Sequence, residues 1–228
     1  MTFCIMNVMK YYEAYNERYK TIHKKGYSWS SEIPTPIVFE TISKYHLSQK
    51  DKMLEIGCGE GRDALPLLEK GYDLVATDIS EEAIRYCKEK CPKYAKNFAK
   101  LDCLSEKYDI KYRFIYAIAV LHMLVLDEDR EKFYSFIRGH LEDDGFALVC
   151  TMGDGTIEMK TNTDEAFDII ERHHDILGPV MVSSTSCRMV SFSTFQNEIK
   201  KANLKIVEKG ITSSLPDFDK LMYVVLRK

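Results

Sequence analysis

The sequence contains no apolar run close to the ~20 residues that a membrane span requires. It also lacks an excess of positive charge: 32 basic residues face 35 acidic ones, for a formal net charge of −3. Tracking a phosphate backbone needs a broad positive field, so neither nucleic acid nor a membrane is expected as a partner. The densest basic stretch, KEKCPKYAKNFAK from Lys88 to Lys100, reads as a solvated helix end. A disulfide framework is missing as well. The seven cysteines are odd in number and scattered singly, which fits reduced thiols in a cytoplasmic protein. Cys87 and Cys91 would share a helix face, but no second Cys/His pair stands at ligand spacing nearby. Core packing is therefore expected there, and no metal site. The opening MTFCIMNVMKYYEAYNERYK has no leading charged region and no small-residue cleavage site, so it reads as a poor signal peptide. Internal repeats and low-complexity tracts are absent from the sequence.

What is present is an ordinary globular balance, 45% hydrophobic and 29% charged, over a length that suits one domain. Tyr11 to Lys25 is charged and aromatic at helical spacing, GYSWSSEIPTP is a loop by its Gly, Ser and Pro content, and Ile37 to Tyr45 is a short amphipathic helix. From Lys52 strands alternate with helices: MLEIG, a helix to Lys70, YDLVATD, a helix from Glu81 to Lys90, and NFAKLD. RFIYAIAV, a helix from Glu128 to Leu141 and GFALVCTM follow. Continuous apolar strands separated by helices mean a parallel sheet covered on both faces. Gly71 sits at a helix C-terminus, and Ser80 is an N-cap followed by Glu81 and Glu82, which complement the helix dipole. Pro66 falls harmlessly in a first turn if its helix begins near Arg62 or Asp63. After Met152 the alternation breaks into a polar turn, one helix from Asp164 to Asp175 and an extended stretch. FSTFQNEIKKANL then reads as a helix capped by Ser193, followed by strands in KIVEKGI and LMYVVLRK.

The segment LEIGCGEGRDALPLLEKGYDLVATDIS, Leu54 to Ser80, carries the strongest signal. A dinucleotide fingerprint, G-x-G-x-x-G counted from Gly57, would put its close-packing glycine at position 62, where Arg62 stands. The observed spacing is tighter, Glu55-x-Gly57-x-Gly59-x-Gly61, and Asp78 ends the next strand. A nicotinamide-dependent oxidoreductase is thus disfavoured. At these residues the chain resembles the class I S-adenosylmethionine-dependent methyltransferases. LEIGCGEGR is similar to their glycine-rich first motif, VATDIS to the second-strand end whose acid holds the ribose, and KLDCL to the third-strand end that meets adenine. The resemblance covers roughly residues 50–152 well, and the short turn with the following Arg looks most like the tellurite-resistance and related small-molecule methyltransferases.

The resemblance implies an α/β, doubly wound, mostly parallel seven-stranded sheet with helices on both faces. It implies a single domain over 1–228: an N-terminal helical lid at 1–50, a cofactor core at 51–152, a substrate-cover insertion at 153–190 and a C-terminal helix with two strands at 191–228. S-adenosylmethionine would bind at Glu55, Gly57, Cys58, Gly59, Gly61 and Arg62, with Asp78 and Ile79 at the ribose. Asp102 and Cys103 would lie by the adenine, and the Ala119 carbonyl would face the methionine ammonium. Glycines let the backbone pass close to the ligand where a Cβ would collide, and Asp78 can accept charge-assisted bonds from ribose hydroxyls. Asp78 and Asp102 could instead merely cap helices or turns. The fourth strand lacks an Asn-Pro-Pro-Tyr-like run and a Pro-Cys nucleophile, and no catechol-type carboxylate cluster is present. A small-molecule acceptor is left, in a monomer or homodimer. His122 is a candidate base or orienting group, or a packing residue, and an imidazole there would titrate near neutral pH. Trp29 is a lid over the ligand or a helix anchor; Arg188 grips a substrate anion or forms a surface ion pair. Cys187 hints at thiol or arsenic chemistry, and the pair His173 and His174 reads as the solvent face of a charged helix. A non-catalytic ligand-binding module remains the other class.

Overall fold

The alternation resolves into a seven-stranded sheet in the computed structural model, which describes residues 9–213, 218 and 220–228. Met1 to Val8, with Cys4 and much of the stretch read for a signal peptide, lie outside the described residues. Helices α1 (Ala14–His23) and α2 (Pro36–Lys44) precede the sheet. The core then runs β1 (Met53–Ile56), α3 (Ala64–Glu69), β2 (Leu74–Asp78), α4 (Glu81–Lys90), β3 (Phe98–Lys100), β4 (Tyr112–Ile118), α5 (Asp127–His140) and β5 (Leu141–Met152). Two short strands, β6 (Met159–Lys160) and β9 (Arg188–Met189), flank a hairpin of β7 (Ile169–His174) and β8 (Gly178–Ser183). Helix α6 (Phe192–Lys201) and strands β10 (Lys205–Thr212) and β11 (Leu221–Arg227) close the chain.

Strand order in the sheet is β10-β11-β5-β4-β1-β2-β3. The five strands from β5 to β3 are parallel, and β11 enters antiparallel beside β5. Side chains of α2, α3 and α4 pack on one set of sheet residues, and those of α5 and α6 on another, so both faces are covered. β1 is buried along its whole length, as a central parallel strand must be. Because β2 and β4 flank β1 on opposite sides, the order reverses there, and a crevice opens beyond the carboxyl ends of β1 and β4. Helix α4 begins where the punctuation put it, with the Ser80 hydroxyl accepting from the Ala83 amide.

Two local expectations fail. The residues read as a helix over Asp164 to Asp175 form a short 3-10 turn at Thr163–Glu165 and then strand β7. The cause is non-local: β7 pairs through all six residues with β8, whose Val180 and Val182 are buried with Ile22 of α1. Pairing and burial outweigh a local propensity of a few tenths of a kcal/mol per residue. The second correction concerns α6, whose cap is Ser191, its hydroxyl accepting from the Thr194 amide, and not Ser193. Among the described residues no helix is long and apolar enough to cross a membrane.

Candidate active site

The crevice at the switch point is a cavity of about 720 Å³. Its floor is the turn after β1. Gly57 and Gly59 have left-handed φ of 74° and 51°, a region in which side chains with a Cβ are strained. A Cβ on Gly57 would stand 2.3 Å from Val120 Cγ2, across the switch between β1 and β4. One on Gly59 would meet the Tyr19 hydroxyl of α1 at 2.7 Å, so the turn is tight against protein as well as open to the cavity. The Gly59 amide donates to Asp78 at 2.8 Å, and the Ser80 amide donates to the other carboxylate oxygen at 2.8 Å. Burial raises the Asp78 carboxyl above its usual range while these amides pull it back. Glu55 accepts from the Tyr116 hydroxyl at 3.0 Å, and burial, then the charge of Asp63, pushes its carboxyl well up. Asp63 is itself buried and accepts from the Thr35 amide and hydroxyl at 2.6 and 2.9 Å, tying the start of α2 to the turn. Ala119, at the end of β4, has a left-handed φ of 57° that carries the chain out of the sheet.

Asp102 stands at the far wall after β3. Burial alone would raise its carboxyl, but hydrogen bonds from the Lys10 ammonium, the Ser105 hydroxyl and the Leu104 amide hold it below its usual range. Tyr12 adds a long contact of 3.5 Å to the same carboxylate.

Most of the predicted residues come together on this cavity: Glu55, Gly57, Cys58, Gly59, Arg62, Asp78, Ile79, Asp102, Cys103, Ala119, His122 and Trp29 all line it. Gly61 does not; a Cβ there would face Cys87 and Leu65 instead. Arg188 is also away from the wall, donating to Asp127 at 2.6 Å and to the Val125 carbonyl at 2.8 Å. Of its two readings, the ion pair is the one present. Trp29 is tied to the turn after β1 and stands on the cavity wall. Its amide donates to Glu60 at 2.7 Å, and its ring lines the cavity. His174 is buried and hydrogen-bonds to the Ser28 carbonyl at 2.8 Å, because the segment is a strand folded inward and not a solvated helix. Cys187 reaches the wall 3.7 Å from the Met152 sulfur, and burial pushes its thiol up, the reverse of an activated thiolate. Cys87 is buried against the Gly59 carbonyl, 3.3 Å away, as a packing residue.

His122 is 5% exposed, with a buried Nδ1 that has no hydrogen-bond partner among the described residues. Burial and the nearby Arg130 charge lower its pKa to about 4. The expectation of a titration near neutral pH is therefore corrected: the imidazole is neutral there because a charged one would be desolvated beside a guanidinium.

Sequence reading passed over the residues that clamp the N-terminal segment onto the turn. His23 donates to Glu60 and Glu82, each at 2.7 Å, and stacks on Tyr86 with ring centroids 4.3 Å apart. Glu60 also accepts from the Trp29 and Ser30 amides at 2.7 Å. A usable signal was the α1 face Tyr15, Arg18, Tyr19 and Ile22, spaced as neighbours on one side of a helix. For His23, burial would depress the pKa, but the hydrogen bonds it donates to Glu60 and Glu82 raise it overall. A raised folded pKa stabilises below the unfolded value of 6.5 and is lost as pH rises through the folded one. The difference in melting temperature between the parent and His23→Gln is accordingly expected to be greatest below pH 6.5 and to shrink above it. A difference independent of pH in thermal melts would show that the imidazolium charge contributes nothing.

Residues 54–147 match a family model described as a methyltransferase domain. The matched stretch runs from β1 into β5. A Ubiquinone biosynthesis O-methyltransferase of Rickettsia felis is 27% identical over 119 residues, 51% of this chain and 47% of the relative. The chain thus spans about half the length of the relatives it matches in sequence. The CcbJ methyltransferase of Streptomyces caelestis superposes with a TM-score of 0.69 at 15% identity, over 95% of this chain and 98% of that one. A TehB-like S-adenosylmethionine-dependent methyltransferase of Corynebacterium glutamicum gives 0.56 at 17% identity, over 95% and 97%. At these identities the likeness is one of fold, and it extends over nearly the whole chain. The match begins at the residue before Glu55 and thus takes in the whole floor of the cavity.

Proposed function

We propose that this chain transfers a methyl group from S-adenosylmethionine to a small-molecule acceptor and releases S-adenosylhomocysteine. The observation that carries the reading is the cavity floor, where left-handed Gly57 and Gly59 lie beside the carboxyls of Glu55, Asp63 and Asp78. Closely set acids in a half-enclosed crevice favour a ligand that brings positive charge, and S-adenosylmethionine brings an ammonium and a sulfonium. Asp78 keeps lone pairs beyond those used by its two amides and would accept from the ribose hydroxyls. Asp102 and the backbone at Cys103 would border the adenine, and Ile79 would pack beside the ribose. The Ala119 carbonyl and Glu55 would meet the ammonium. When bound, the cofactor supplies a methyl already activated for in-line displacement. The work of the chain is to align the acceptor and keep water out. The N-terminal segment with helices α1 and α2 and the insertion 153–190 would do this as covers over the core at 51–152, within one domain completed by 191–228.

His122 serves in this reading as a neutral orienting group and not as the base. His122→Ala is expected to lower turnover about 10-fold, the scale of one positioning contact, without moving any inflection of the pH–rate profile near neutrality. Loss of such an inflection would restore the general-base role. An acceptor held in a cytoplasmic monomer or homodimer, with no nucleic acid bound, fits the unpaired state of the six described cysteines and the balanced charge. Calorimetric titration with S-adenosylmethionine, S-adenosylhomocysteine and a nicotinamide dinucleotide tests the reading, with binding expected for the first two only. Binding of the dinucleotide alone would sink it.

A further inference from the structure

Arg18 is 4% exposed and holds a charge that the described residues do not neutralise. Its Nε and Nη2 donate to the Ser183 carbonyl at 3.1 and 2.6 Å, and Nη2 donates to the Ser184 carbonyl at 2.8 Å. The Tyr15 and Trp29 rings pack on the guanidinium, with centroids 4.7 and 4.8 Å from its central carbon. Nη1 has a single weak contact, 3.4 Å to the Tyr15 hydroxyl, so one edge of the fork keeps donor capacity. Among the described residues no carboxylate forms an ion pair with it. Carbonyl dipoles soften the penalty of a buried cation but supply no counter-charge.

A second guanidinium faces the same space. Arg172 lies on β7 opposite Val180, on the hairpin face that turns Val180 and Val182 toward α1. Opposed residues of an antiparallel pair project to the same side. Arg172 is exposed and lines the cavity with Arg18, and its side chain makes no ion pair or hydrogen bond within the described residues. Burial draws Arg18 below the ordinary guanidinium range, and the charge of Arg172 adds to that pull. Asp175, on the cavity rim, pairs with neither. Two like charges on one cavity wall, one of them nearly dry, are mutually unfavourable until an anion sits between them.

We infer that the acceptor carries a carboxylate, gripped by the free edge of Arg18 and by Arg172 at the side of the cavity formed by α1 and the β7–β8 hairpin. The planar fork of a guanidinium matches a carboxylate in shape and charge. Held there, the remainder of the acceptor extends into the same cavity toward His122 and the end of β4. The inference rests on the methyl-transfer reading for the word acceptor, while the anion site stands on the two arginines alone.

The test uses benzoate, with benzamide as its neutral counterpart, added to the protein with and without saturating S-adenosylhomocysteine. Melting temperature and calorimetry are the readouts. Benzoate is expected to bind and stabilise, benzamide to do neither, and added sodium chloride to weaken the benzoate effect. Arg172→Gln, an exposed change that leaves the core packing intact, is expected to weaken benzoate about 5-fold or more while S-adenosylhomocysteine affinity stays at the parent value. Arg18→Gln should remove the benzoate response altogether. Because Arg18 also holds the Ser183 and Ser184 carbonyls, Arg172→Gln keeps the test decisive should Arg18→Gln unfold. Equal action of benzamide, no benzoate binding, or an unchanged benzoate affinity in Arg172→Gln would overturn the inference. If S-adenosylhomocysteine itself fails to bind, the methyl-transfer reading falls, and the arm without it still decides the anion site.

Discussion

Gly59→Val is expected to reduce S-adenosylhomocysteine affinity by roughly 100-fold or more while the protein stays folded. Three effects add. The backbone at Gly59 has a left-handed φ of 51°, where an ordinary residue costs about 1–2 kcal/mol and a β-branched one is a genuine outlier. Its Cβ would lie 2.7 Å from the Tyr19 hydroxyl, so either the turn or α1 must move. Movement of the turn also withdraws the amide that Asp78 accepts at 2.8 Å. A combined cost near ~3 kcal/mol corresponds to about two powers of ten in affinity. The sheet does not depend on this residue, so circular dichroism should be unchanged. Parent-like affinity by calorimetry would mean that the ligand does not sit on this turn.

Asp78→Ala is expected to weaken cofactor binding by roughly 10- to 100-fold. A hydrogen bond to a charged group contributes about 1.5–3 kcal/mol, and two backbone amides, of Gly59 and Ser80, lose their acceptor together with the ribose. A double comparison separates the two losses. The 2′-deoxy analogue of S-adenosylhomocysteine should bind the parent less well than the natural ligand, but the variant nearly as well. A full further loss in the variant would place the ribose away from Asp78.

These two residues could be named from the sequence because the signals that mark them are local. Glycines at alternating positions after a short apolar strand force a turn with left-handed backbone, and an acid at the end of the next strand must stand beside it once the strands pair in parallel. The pairing of Glu55 with Ala76 and Ile56 with Thr77 supplies that adjacency. Ser80 and the helix from Glu81 to Lys90 follow from capping alone. The reading of Gly61 as part of the ligand wall failed for a related reason. Its left-handed φ of 82° is required by the turn, yet the turn points that residue at Cys87 and Leu65.

What surrounds the turn was set elsewhere. Glu60 and Asp63 sit within the glycine motif, but their partners, His23, Trp29 and Thr35, come from before the first strand. The insertion after β5 was misread because the chain from Asp164 to Asp175 is compatible with a helix, and only β8 and α1 give β7 somewhere to pack. Arg18 looked like one more charged helix residue until that hairpin brought the carbonyls of Ser183 and Ser184 to it, 165 and 166 positions along the chain. Periodicity and spacing along the chain determined the parallel sheet, the glycine turn and the acid at the end of β2, since each depends on neighbours within one strand–helix–strand unit. The rest of the cavity lining, with its neutral His122 and its two guanidiniums, was decided only by tertiary contacts, because desolvation and counter-charge depend on which distant segment covers a group.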